Sequence, residues 1–240
     1  MNSQQLIADL TEDVSAGKAG RVIVGLNWTL VEGPEGIGLA QTPERGAAGC
    51  VPMAEAGSLA GRSLVDLAAL AGSDNPIQSA IGFAAINAHY NRFDFGGAAI
   101  NGLDALAGVK GPITAIGRFP GLAERLPGVR IIERSPRPGE YSEADAERLL
   151  GESEAAFITA SALTNGTLTG LLAAARHCRV VLVGPSAPLA PCLIDRGIEV
   201  IAGLVVRDVE SVEAAVVEGG AVRALKSHCR FVSLVAPGHH

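Results

Sequence analysis

The stretch TASALTNGTLTGLL, residues 159–172, places four threonines, Ser161 and Asn165 between an apolar run and a helical pattern. Leu168, Leu171, Leu172 and Ala175 recur at the spacing of one buried helical face, so the spacing predicts a helix from about residue 165. A strand-to-helix connection needs one capping side chain, and Thr164 or Asn165 suffices. Thr159, Ser161 and Thr167 are then left over. Their hydroxyls have the chemistry to hold a carboxylate, a phosphate or a sugar; the structural alternative is that they bond back to local carbonyls.

Three other junctions carry polar or glycine-rich chemistry. GPSAPLAPCLIDRG, residues 184–197, offers Gly184 for close backbone approach, Ser186 as a cap, Pro188 in a first helical turn and Gly197 as a left-handed stop. Most of that segment is thereby given structural work, with Ser186 the side chain left for function. Cys192 reads as packing rather than as a nucleophile, since no histidine is near it in sequence. IGRFPG, residues 116–121, holds Gly117, Phe119 and Pro120 but lacks the later glycines of GxGxxG, which argues against a dinucleotide. Glu133 ends the run VRIIE, where an acid in dinucleotide folds takes a ribose; an ion pair with Arg134 or Arg137 is the equal alternative.

Metal-ligating residues are scattered. His177 with Cys178, and His228 with Cys229, are adjacent in sequence and point different ways on a regular element. His89 reads as a solvated or capping histidine, and His239 and His240 lie at the end of the chain. Asn27, Glu32 and Asn87 become oxygen donors to the site if an N-terminal domain closes over a C-terminal one.

The elements that must position these groups fall into two sets. Residues 3–16 fit an amphipathic helix. RVIVGLNWTLVEG, a turn at GPEG and IGLAQT read as two strands of a hairpin. Two helices follow, GRSLVDLAALAG and a second capped by Asn75 with Pro76 in its first turn. Beyond residue 100, GPITAIGRF, VRIIER, EAAFITAS, CRVVLVGPS and IEVIAGLVV alternate with helical segments, the pattern of a mostly parallel sheet. Their unbroken apolar character suits strands covered on both faces. The expected fold class is thus α/β, a small α+β domain over residues 1–98 and a parallel-sheet domain over residues 99–240, joined through residues 91–102. In such a sheet the four polar junctions share the edge where ligands bind.

Composition narrows the function class. Of 240 residues, 48% are hydrophobic and only 4% aromatic, so the core is built from small aliphatic side chains. With 19 basic against 25 acidic residues there is no broad positive field, and nucleic acid is not expected as a partner. No window reaches the ~20 apolar residues of a membrane span, no signal peptide is legible, and cytoplasmic localisation is expected. The four cysteines, Cys50, Cys178, Cys192 and Cys229, form no CxxC and write neither a zinc knuckle nor a disulfide framework.

VGLNWTLVEG with GIGLAQTP and SAIGFAAINAHYN, followed by TASALTNGTL, LVGPSAPLAP and GIEVIAGLVV, resembles the DUF364 family with its DUF4213 N-terminal region, whose members are described as heavy-metal chelation proteins. The resemblance spans almost the whole chain. It implies a domain like the N-terminal domain of enolase, without enolase chemistry, joined to a Rossmann-like domain, with a cleft between them. Carried over by position, Gly117, Phe119, Pro120, Glu133, Thr159, Asn165, Gly166, Thr167, Gly184, Pro185, Ser186 and Pro188 match the family pattern. Ala160, Ala162 and Ala187 depart from it, each removing a glycine or hydroxyl that relatives have. The implied function is metal homeostasis through a metal or a small polar metal-chelating ligand in that cleft, a transition metal being the implied cofactor. The alternative is an enzyme using a nucleotide or nucleoside-containing cofactor. A homodimer is expected from the prevalence of closed dimers.

Overall fold

The structure is a computed structural model and describes residues 2–44, 46, 49, 51–98 and 102–238. Cys50, His239 and His240 lie outside the described residues. The chain runs α1 (Ser3–Glu12), β1 (Val22–Val24), β2 (Trp28–Glu32), β3 (Ile37–Gln41), α2 (Leu64–Ala68) and α3 (Pro76–Tyr90). It continues β4 (Ile113–Ile116), α4 (Leu122–Arg125), β5 (Arg130–Glu133), β6 (Tyr141–Ser142), α5 (Ala146–Gly151), β7 (Ala155–Thr159), α6 (Ser161–Thr164) and α7 (Leu168–Ala174). The last elements are β8 (Arg179–Val183), α8 (Pro191–Ile194), β9 (Ile198–Val206), α9 (Val209–Val217), α10 (Val222–Leu225) and β10 (Cys229–Val235). No described helix is long and apolar enough to cross a membrane.

The first three strands form an antiparallel sheet in the order β1-β2-β3. The run expected as a single strand is broken in two, because at Gly25 the chain folds back, Gly25 N–H donating to Trp28 O at 3.0 Å. Only glycine fits there, since a Cβ on Gly25 would overlap the carbonyl oxygen of Val216. Gly38 plays the same part on β3, letting the strand lie directly on the backbone of α3 at Ala84 and Ala88. α3 itself starts as its sequence demands, Asn75 Oδ1 accepting from Ile77 N at 3.0 Å with proline in the first turn.

The second sheet has seven strands in the order β10-β9-β8-β7-β4-β5-β6. All neighbours are parallel except β10 against β9. The five expected strands are present; β6 and the antiparallel β10 are additional. β4 pairs β5 on one side and β7 on the other, so the chain reverses its direction of growth between β4 and β7. That is the topological switch point, outside which ligands settle in open α/β sheets.

The two sheets share their cores. Leu30, Ile37 and Leu39 of the small sheet pack in one cluster with Leu204, Val206, Val212 and Val216. Val31, Ala40, Ala84 and Ile86 belong to another with Ala162, Leu163, Leu189 and Ile201. A polar pin lies between them. Asn91, 1% exposed, donates from Nδ2 to Ala187 O at 3.0 Å and Leu204 O at 3.1 Å, and accepts at Oδ1 from Leu189 N at 2.9 Å. Residues expected only to connect the two parts therefore begin by fastening them.

Candidate ligand-binding site

Gly117 leaves β4 at φ +99, a left-handed conformation that disfavours any side chain. A Cβ there would come 3.1 Å from Cβ and Cγ2 of Thr159 and 3.6 Å from the ring of Phe119. The ends of β4 and β7 are thus drawn together at the switch point, with Phe119 standing edge-on to the buried Phe157 at 4.7 Å. On the β7 side, Thr159 Oγ1 and Ser161 Oγ are 3.0 Å apart and bonded to each other.

That pair is what survives of the polar surplus once local bonds are counted. Thr164 Oγ1 donates back to Ser161 O at 2.9 Å. Asn165 Oδ1 accepts from both N–H (3.1 Å) and Oγ1 (2.6 Å) of Thr167, closing a turn on itself. Thr169 is buried and pairs with Ser3 Oγ at 3.1 Å. The helix expected from about residue 165 is α7, which starts at Leu168; a short helix not expected, α6, precedes it, with Gly166 at φ +73 between them. Neither Thr164 nor Asn165 caps α7; Thr167 stands at its N-cap and makes no side-chain capping bond.

On the β5 side Glu133 does not pair with Arg134 or Arg137 as the ion-pair alternative supposed. Its Oε1 accepts the main-chain N–H of Arg118 at 2.6 Å, while Arg134 pairs with Glu143. The Arg118 guanidinium is held by both oxygens of Glu140, at 2.8 and 2.6 Å. That bond and the N–H of Arg137 pull the Glu140 carboxyl down to about 2. Arg118 and Glu140 were not among the sequence candidates: they lie 22 positions apart, and only the fold brings them together. Two carboxylates thus hold the loop containing Gly117, Phe119 and Pro120, one through its backbone and one through its arginine.

The loop after β8 is built differently. Gly184 is at φ +131. Ser186 is 3% exposed and accepts the N–H of Gln41, from β3, at 2.9 Å. It is not a helix cap, and Pro188 does not open a helix, because α8 starts at Pro191. Pro185 and Pro188 carry the chain past Asn91, and Gly197 ends the turn after α8 at φ +87 as expected.

Each of the three N-terminal candidates bonds to a partner other than the hydroxyl pair. Asn87 is fully buried and donates to Leu39 O at 2.6 Å, its Oδ1 having no partner among the described residues. Asn27 donates to Gly219 O at 2.7 Å, and Glu32 pairs with Arg21 at 2.8 Å. Instead, the small part meets the site through packing of α3 and β3 against α6. Two surface cavities, of about 430 and 310 Å³, lie elsewhere, one beside α9 and α10 and one at the opposite sheet edge between Arg179 and Glu199.

A bare metal ion does not fit the described residues. Among them no three His, Cys, Asp or Glu side chains converge. Burial raises the thiols of Cys192 to about 11 and Cys229 to about 12, so both are protonated in the free chain. Cys178 donates to the carbonyls of Leu150 and Ser153, and His177 Nε2 already accepts from Arg176.

Comparisons with known proteins agree with this architecture. A family model for DUF364, described as "Putative heavy-metal chelation", matches residues 103–235, and one for DUF4213, with the same description, matches residues 7–90. A crystal structure of a DUF364-family protein of unknown function from Desulfitobacterium hafniense DCB-2 is similar at 26% identity and TM-score 0.86, covering 97% of this chain and 98% of that one. A second, from Pyrococcus horikoshii, has the same fold at 23% identity and TM-score 0.76, covering 98% and 100%. No curated protein matches.

Proposed function

The chain belongs to the DUF364 family, and from that premise we propose that it serves metal homeostasis in the cytoplasm by binding a small polar, metal-chelating molecule at the switch point, where the two parts of the chain meet. The observation that carries this reading is the Thr159–Ser161 hydroxyl pair, the one part of the 159–167 stretch whose hydroxyls bond only to each other and to the N–H of Ser161, beside the glycine-lined end of β4. The lack of a convergent metal-ligand set among the described residues favours a metal arriving as a complex whose organic part the protein recognises. Thr159, Ser161 and the Gly117–Pro120 loop contact that ligand, and Glu133 and Glu140 hold the loop in place. The working unit is a homodimer.

The test is calorimetry and metal analysis of the purified chain with Ni²⁺ or Zn²⁺, each alone and as its citrate complex. The complex is expected to bind better than the ion. The double variant Thr159→Val, Ser161→Ala should lose about ten- to hundredfold in affinity, as when a buried ligand group loses its partner. No uptake in either form rejects the reading. The strand order also supports the rival, a nucleotide or nucleoside cofactor with Glu133 on a ribose. Against it, Glu133 is bonded to the main chain of Arg118 and would have to leave it. Stabilisation of the same preparation by a nucleotide or by S-adenosylmethionine, but not by metal citrate, would replace the first reading with the second.

A further inference from the structure

The two edges of the small sheet are finished differently. In the β2–β3 ladder, Thr42 N–H donates to Asn27 O and Gly33 N–H to Gly36 O, so the alternation of an antiparallel pair turns the backbone groups of Leu39 and Gln41 outward. Both are covered, Leu39 O by Asn87 Nδ2 and Gln41 N–H by Ser186 Oγ. In the β1–β2 ladder, Glu32 N–H donates to Arg21 O and Gly25 N–H to Trp28 O. The same alternation turns the N–H and C=O groups of Val22 and Val24 outward, and among the described residues no side chain bonds to them.

The uncovered edge is also apolar. Val24 is 43% exposed, Leu26 67% and Val217 64%. Leu26 lies beside α9, packing over Gly219 at the end of that helix, with Gly25 against Val216, while Val24 is exposed on the opposite face of the strand from Ile23, which packs with Val212 and Val216. An open edge with exposed aliphatic side chains is a template for strand addition, and natural proteins cover or blunt such edges. We propose that a second copy of this chain covers it, β1 pairing antiparallel with β1 of the partner about a two-fold axis at Ile23.

Self-complementarity argues for that occupant. With Ile23 on the axis, Val22 faces the partner copy's Val24 and the reverse, so every outward backbone group of β1 meets one that also points outward. Arg21 then faces a glycine, not a second arginine, and its charge is already matched by Glu32 and Glu213. Within β1 no like charges are set against each other, and the exposed Leu26 just beyond the strand is free to extend the contact past its three residues. An isologous interface has this property of each residue meeting the one that meets it.

Light scattering at micromolar concentration tests the proposal, with a mass of twice 24.5 kDa expected for the native chain and 24.5 kDa for Val24→Lys. Circular dichroism should show the variant folded, since the side chain is exposed. Ile23→Cys supplies a second measurement. Two-fold-related residues at a non-hydrogen-bonded site have Cα atoms ~4.5 Å apart, within disulfide range, so mild oxidation should link two chains where the native protein stays unlinked. A monomeric native chain, or a dimer that Val24→Lys leaves intact and Ile23→Cys fails to cross-link, overturns it. Metal-citrate binding by a monomer would leave the proposed ligand site standing while this interface, and the homodimer with it, falls.

Discussion

The loops after β7 and β8 leave adjacent strands at the same sheet edge, and both are rich in glycine and small polar residues, yet they do different work. After β8 the polar groups reach across the molecule: Ser186 to Gln41, and the backbone of Ala187 and Leu189 to Asn91. After β7 the side chains of residues 159–167 bond only within their own loop, Thr159 to Ser161, Thr164 to Ser161 O and Asn165 to Thr167. A polar side chain with a distant buried partner is holding the fold, whereas hydroxyls satisfied only by each other at a strand end are free to exchange that bond for a ligand. The same sequence signature thus marks a joint in one loop and a candidate site in the next.

The contrast breaks most readily at Asn91. Asn91→Ala would leave two carbonyls and one N–H buried without partners, and a loss of about 3 kcal/mol or more in chemical denaturation is expected at ~1 kcal/mol or more per group. A loss below about 1 kcal/mol would mean that the shared apolar cores hold the two parts together without the pin. Ser186→Ala removes a single bond and should lower stability by about 1 kcal/mol while leaving metal-citrate binding unchanged. A drop in binding with unaltered stability would move Ser186 from the joint to the site. The smallest effect is expected from Asn165→Ala, which opens an exposed turn and should cost about 0.5 kcal/mol or less, surface changes being usually that small. If it lowers the melting temperature as far as Ser186→Ala does, the two loops are equally structural and the distinction between them disappears.

Particular elements show where reading the chain succeeds. The Asn75–Pro76 start of α3 and the left-handed stop at Gly197 were legible because each is decided by neighbouring residues. The five central strands were legible because burial on both faces demands continuous apolar runs. β10 was missed: its run CRFVSLV is interrupted by Arg230 and Ser233 and is only partly buried, and its antiparallel direction depends on pairing with β9. The break at Gly25 was missed as well, since the glycine is required by α9, nearly two hundred residues later in the chain. Of the candidate site, the 159–167 stretch was conspicuous in sequence, but nothing in it separated Thr159 and Ser161 from their neighbours.

Sequence by itself determined the α/β class, the parallel alternation after residue 100 and the stretch in which chemistry is concentrated, because periodicity, capping and turn preference act over a few residues. Tertiary structure decided which polar groups are spent. Ser186 meets Gln41 across 145 positions, Asn91 meets Leu189 across 98, and Arg118 meets Glu140 across 22. A hydrogen bond is satisfied by proximity in space, and proximity between distant residues is set only when the apolar faces of both sheets have packed into common cores.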